Sequence, residues 1–335
     1  MIVKNPSWQS LFPTLPEFVP FEGKELLPLQ EILNIDGTSY LVKFDKKSTL
    51  AFMFASAKDN KRYFVKKIPD REREHYEESE QLTKWLNPVE FQVNASLYNY
   101  IDANDGSIFY VYPYVDGTRL LPNPEQLILL GTALAKLHKM IKDYPEKPTV
   151  IHRTHKRINQ LEYLQKEIAL GKHPVGPIPD YVKQFALKHH FNLINSDNSQ
   201  ILHGDLNPGN LLITEDKTIC FFDFEDALHS YSPVLFDLTF IIERIIFNHT
   251  DSKSDALILS NIFMKAYRES GGIYEYQQSD EYSLSILALK AFCLLTFSEI
   301  SGNLTLNSEW HKFFKLSRQA DRNINLLKTI LQGSL

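Results

Sequence analysis

Residues 201–227, ILHGDLNPGNLLITEDKTICFFDFEDA, carry the densest chemical pattern in this 335-residue chain. An apolar dipeptide leads into His203-Gly204-Asp205, and Asn210 follows five residues after Asp205. Two short β-like runs come next, LLIT and TICFF, separated by the polar turn Glu215-Asp216-Lys217. The second run delivers Asp223, eighteen residues after Asp205. The pattern predicts two carboxylates and an amide mounted on loops at the ends of a small hairpin. Oxygen donors of this kind suit a hard divalent cation, and without paired His or clustered Cys the set does not read as zinc.

On the upstream side, LPNPEQLILLGTALAKLHKM predicts a helix. Asn123 stands as N-cap, Pro124 at the first helical position and Gln126 at the third. Leu127, Leu130, Leu134 and Leu137 then recur at steps of three, four and three, which marks one helical face. Helical patterns also dominate from Asp237 onward. Before residue 112 the texture is different. The first thirty residues hold Pro6, Pro13, Pro16, Pro20 and Pro28 and read as an irregular arm. SYLVKF, TLAFMFAS and KRYFVKKI then predict an antiparallel meander, residues 71–86 a helix, and FQVNASLYN and SIFYVYPYV two more strands. The expected organisation is an α+β chain with a small β-rich N-terminal lobe (1–112) holding one main helix. A larger, mostly helical lobe (113–335) follows.

Phosphoryl transfer asks for the residue set at 205–223. One carboxylate accepts or orients the attacking hydroxyl, while a second carboxylate and a neutral oxygen donor hold magnesium against the phosphates. Asp205 is the candidate for the first role; Asn210 and Asp223 are the candidates for the second. The offsets of five and eighteen resemble those of the protein-kinase catalytic loop and metal-binding aspartate. The wording HGDLNPGN is closer to the aminoglycoside phosphotransferase and choline kinase family, whose members share a protein-kinase-like fold. GTALAKLHKM resembles that family's helix before the catalytic loop, FDFEDA its metal-aspartate motif, and SPVLFDLTF the segment after it. Asp237 and His203 then read as braces of the loop. Asn207 stands where protein kinases often have Lys, only fourteen residues separate Asp223 from Asp237, and no APE follows. The resemblance therefore implies a bilobal small-molecule kinase using ATP and Mg2+.

The same resemblance implies a nucleotide side. FVKK on the third predicted strand matches a V-A-I-K type strand, with Lys67 chosen as the phosphate cation and Lys66 on the opposite face. Its carboxylate partner should come from the next helix. Glu78, which shares a face with Leu82 and Trp85, is the choice, with Glu80 and Glu74 left open. FYVYPYVDGT resembles the lobe connection, with Tyr112 as gatekeeper, the Pro113 carbonyl facing adenine and the Val115 N–H donating to it. No G-x-G-x-x-G stands over the phosphates; the first turn reads FDKKSTLAF, where Ser48 and Thr49 could make phosphate contacts.

Thirty-six basic and 41 acidic side chains leave a net charge of −5, with no footprint for nucleic acid or a membrane surface. Cys220 and Cys293 sit in apolar runs and read as buried thiols in a reducing, cytoplasmic setting. The longest apolar runs are broken by charge short of the ~18 residues a membrane span needs. Charges in residues 271–335 balance, which disfavours a polycationic acceptor; Tyr274, Tyr276, Phe297 and Trp310 read as core or as a lining for a small acceptor. The expected partner is a small molecule bearing a hydroxyl. A kinase-fold binding protein without turnover and a protein kinase are the alternatives.

Overall fold

A computed structural model of the chain describes residues 17–20, 37–43, 50–56, 61–86, 92–173, 176–191, 198–302, 305 and 307–333. These fall into two compact units. One takes its residues from 2–120 and 208–225, the other from 121–207 and 226–335.

The first unit is built on an antiparallel sheet. Strands β1 (Glu17–Pro20), β2 (Gly37–Lys43), β3 (Leu50–Ser56) and β4 (Arg62–Ile68) follow one another as a meander. After a single 3-10 turn comes helix α1 (Arg73–Leu86), then β5 (Gln92–Val93), β6 (Tyr98–Ile101), β7 (Ile108–Pro113) and β8 (Thr118–Arg119). The order β1-β2-β3-β4-β7-β6 completes the main sheet. Strand alternation divides β4 between two small cores. Val65 packs with Phe52, Phe109 and Val111, while Phe64 and Ile68 join Tyr76 of α1 with Ile108, Tyr110 and Tyr112. Two expectations change here. The arm holds a strand, β1, and FQVNASLYN is not one strand. The Ala95 N–H donates to the Val93 carbonyl and the Leu97 N–H to Val111, so the chain turns between β5 and β6.

The second unit is mostly helical. It contains α2 (Pro124–Ile141), α3 (Lys147–Ala169) and α4 (Pro179–Lys188), followed by β9 (Ser199–Ile201). The chain then re-enters the first unit as the hairpin β10 (Leu211–Ile213) and β11 (Ile219–Phe221), and returns as β12 (Tyr231–Pro233), which pairs with β9. Helix α5 (Leu235–Ile241) runs on into a π turn at Ile242–Ile246, and α6 (Lys253–Glu269), α7 (Ser283–Ile300) and α8 (Asn307–Gly333) complete the unit.

Helix α2 starts as its sequence predicts: Asn123 Oδ1 accepts from the Gln126 N–H at 3.0 Å. Leu127, Leu130, Leu134 and Leu137 are all fully buried, each contributing about 1.5–3 kcal/mol relative to an exposed side chain. Gly131 lets α2 approach α6 closely, since a Cβ there would lie 2.6 Å from the Phe263 carbonyl oxygen. One core of the unit joins α3, α4, α7 and Trp310, so Trp310 is a core residue, stacked on Phe292 with ring centroids 6.1 Å apart. Helix α7 with the turn before it (280–300) is, by length and composition, apolar enough to cross a membrane, contrary to the expectation from its charges. Leu284, Ile286, Leu289, Phe292 and Cys293 of that helix are buried in the unit's own core.

Candidate active site

In the first unit the hairpin sets the geometry. Leu211 pairs with Phe221 and Ile213 with Ile219, and the Phe222 N–H donates to the Asn210 carbonyl at 3.0 Å. Asn210 and Asp223 therefore emerge at the same open end of the hairpin. The register places them there because the polar Glu215-Asp216-Lys217 turn closes the other end. Asp223 adopts a left-handed backbone conformation (φ 64°), which an aspartate tolerates better than a branched residue. β11 is held between β10 and β5, and β10 is held by β8.

Lys66, not Lys67, faces this end. Its ammonium lies 3.5 Å from Asp223 Oδ1 and 3.6 Å from Glu225 Oε1, above the rings of Tyr76 and Tyr112. Burial alone would lower the Lys66 pKa, but Asp223 and Glu225 outweigh it and hold the ammonium above its ordinary range. Burial and the neighbouring Asp223 carboxylate push the Glu225 carboxyl up to about 8. Lys67 projects from the other face of β4, where it pairs with Asp105 at 2.9 Å and lies over Phe109. Adjacent strand residues point to opposite faces, so only one of the two lysines can reach the hairpin.

On α1, Glu80 is buried. It accepts from the Tyr112 hydroxyl at 2.6 Å and from the Ser96 N–H at 3.0 Å, and its charge acts on Lys66. Glu78 is half-buried and lies about 200° around the helix from Glu80, so the two cannot share a direction. Pro113 stands opposite Tyr63 at a non-bonded position of the β4–β7 ladder, because the Tyr114 N–H donates to Arg62. Its missing N–H therefore costs no ladder bond. The Val115 N–H makes no hydrogen bond among the described residues. Ser48 lies outside the described residues.

In the second unit the loop 203–205 is clamped from below. Asp237 is fully buried and accepts from the His203 N–H at 2.9 Å, the Gly204 N–H at 3.0 Å and His138 Nε2 at 3.1 Å. Burial would raise the Asp237 pKa, but the bonds from His138 and the loop overcome it and hold the carboxyl below its ordinary value. His138 Nδ1 in turn bonds the Tyr267 hydroxyl at 2.8 Å, which ties α2, α6 and the loop together. Gly204 has φ 83°, and a Cβ there would sit 2.3 Å from Ser230 Oγ, so no other residue fits the turn unstrained. Asp205 accepts from Asn207 Nδ2 at 2.9 Å.

The arrangement offers oxygen donors for a hard cation and a lysine beside them, and separately a rigidly carried aspartate. Reasoning from sequence did not place Lys66 or Glu225 beside Asp223, and left Glu80 as one of two alternatives to Glu78. The signal for Glu80 was available: Tyr76, Ser79, Glu80, Thr83 and Leu86 form one buried stripe, disguised by small polar residues.

Solved structures share this architecture. The GDP complex of an aminoglycoside 2'-phosphotransferase of type IIIa has a TM-score of 0.62 at 12% identity, covering 90% of this chain and 97% of that one. A choline kinase of Streptococcus pneumoniae has a TM-score of 0.57 at 13% identity, covering 88% and 98%. A spectinomycin phosphotransferase crystallised with ADP and spectinomycin has a TM-score of 0.55 at 16% identity, covering 94% and 99%. The fold is thus the α+β, protein-kinase-like one, with a small antiparallel sheet unit and a mostly helical unit. Residues 48–268 match the family model described as the phosphotransferase enzyme family, and the chain belongs to that family. A search of curated proteins finds no match.

Proposed function

We propose that the protein transfers the γ-phosphate of ATP to a hydroxyl of a small molecule. The observation that supports this most is the Lys66–Asp223 pair at the open end of the hairpin, with Asn210 emerging beside it. In this reading Asp205 accepts the proton of the acceptor hydroxyl. The acceptor oxygen forms a bond to the γ-phosphorus while the bond to the β–γ bridging oxygen breaks. Lys66 takes the phosphate-binding role assigned from sequence to Lys67, and Glu80 stands near it in place of Glu78. Pro113 and Val115 present backbone groups to adenine. Asn210 and Asp223 supply oxygen donors that fit magnesium, which when bound neutralises phosphate charge. Asp237 keeps the 203–205 loop in one geometry. The net charge of −5 and two buried thiols fit a small-molecule substrate in a reducing cytoplasm.

The test is Mg–ATP binding by calorimetry, with turnover over a panel of hydroxyl compounds and generic peptides. Asp205→Asn is expected to keep nucleotide affinity and lose turnover by about a hundredfold or more, the range for removing a general base. Asp223→Ala is expected to weaken magnesium-dependent nucleotide binding far more than Asp205→Asn. Equal losses would mean the two carboxylates are misassigned. A wild-type chain that binds ATP without turnover on any acceptor would instead be a binding protein.

A further inference from the structure

The helical unit holds a pocket with about 560 Å³ of empty space, part of it open to solvent. Gly204 of the loop, Phe236, Phe240, Ile286, Arg157 and Lys290 all line it. Two cations and an apolar wall thus meet beside the residue that precedes Asp205.

Lys290 is the unusual member. It interrupts the apolar sequence SLSILALKAFCLLTF of α7, where a charge is costly unless it is used. The charges around it are already engaged. Arg157 donates to Asp226 at 2.9 Å, Asp237 is occupied by His138 and two loop N–H groups, and Asp205 accepts from Asn207. These carboxylates attract the Lys290 ammonium at a distance and Arg157 repels it. Among the described residues none forms a hydrogen bond or an ion pair with it. Burial accordingly holds the ammonium below the usual lysine range, with Asp226 acting against the shift.

We propose that this pocket takes a hydroxyl-bearing acceptor with an apolar body and one anionic group, carboxylate or phosphate, bound by Lys290. The proposal rests on the kinase reading above and narrows its acceptor. An anion gives the ammonium a partner that none of the described residues supplies, and Arg157 stands on the same wall. The apolar residues receive the carbon skeleton. A polycation would meet the Lys290 ammonium as a like charge instead, at a cost in affinity.

Calorimetry with wild type and Lys290→Met tests this with two matched pairs: glycerol 3-phosphate against glycerol, and 3-hydroxybutyrate against 3-hydroxybutyramide. At least one anion should bind about tenfold or more tighter than its neutral counterpart, the scale of one charged hydrogen bond. Lys290→Met should abolish that difference, Lys290→Arg should retain part of it, and Mg–ATP affinity should not change. Which pair responds separates phosphate from carboxylate. The proposal is overturned if neither anion is preferred, if the preference survives Lys290→Met, or if Lys290→Met weakens ATP binding instead. Binding needs no turnover, so the two readings fail separately. Lys290-dependent anion binding without phosphate transfer would refute the kinase reading alone. Asp205-dependent phosphorylation of glycerol as efficient as that of its phosphate would refute this one.

Discussion

Lys66 and Lys67 are chemically identical neighbours, and their difference is one of direction. Side chains alternate along β4, so Lys66 reaches Asp223 and Glu225 while Lys67 reaches Asp105. The prediction is correspondingly sharp. Lys66→Ala should lower kcat/KM for ATP by about a hundredfold or more, in the range of lost electrostatic stabilisation of a transferring phosphate. Lys67→Ala removes a pair with a half-exposed Asp105 and should cost less than about 1 kcal/mol of stability, with nearly unchanged kinetics. Steady-state kinetics with urea denaturation checks both. The reverse pattern would restore the sequence-based choice. The FVKK string shows that a lysine faces each side of the strand. It does not show which side carries the hairpin, because β11 comes from more than 150 residues downstream in the sequence.

At the scale of elements, local chemistry predicted most of what formed. The cap at Asn123, the leucine stripe of α2 and the LLIT/TICFF hairpin all appear where their patterns place them. Helix α4 adds a pH response that its sequence does not announce. His189, just past its end, is buried against Phe185 with ring centroids 4.3 Å apart. Burial, and then the charge of Lys188, push its pKa down to about 4, with Asp321 opposing. In the unfolded chain the same group titrates near about 6.5. Between those values the unfolded state binds the proton first. The contribution of His189 to stability should therefore fall as pH drops from about 6.5 toward 4, by up to about 3 kcal/mol, and be constant above 7. Glu225, whose carboxyl is pushed the other way, contributes the opposite slope up to about pH 8. His189→Gln should remove the His189 contribution from a urea stability profile. An unchanged slope would show that other groups carry it.

For the whole molecule, the two units have interleaved sequence. β5 and β8, from the first 120 residues, pair with β11 and β10, which arrive only after three helices of the other unit. A fragment ending at Leu120 lacks those partners. It should lose protection at Val93 and Thr118–Arg119, whereas the β3–β4–β7 strands keep theirs; amide hydrogen exchange of fragment and full chain reads this directly. Equal protection in both would mean the hairpin contributes nothing to the first unit. Membership of the phosphotransferase family is legible in the resemblance of HGDLNPGN and FDFEDA to that family's motifs, because both are short strings whose wording does not depend on tertiary contacts. Which lysine reaches Asp223, which glutamate of α1 is buried against Tyr112, that Asp237 holds the loop through two backbone N–H groups, and that Lys290 lines a pocket were decided by tertiary structure. Each depends on the direction a side chain takes between elements far apart in sequence, and periodicity within one element does not contain that direction.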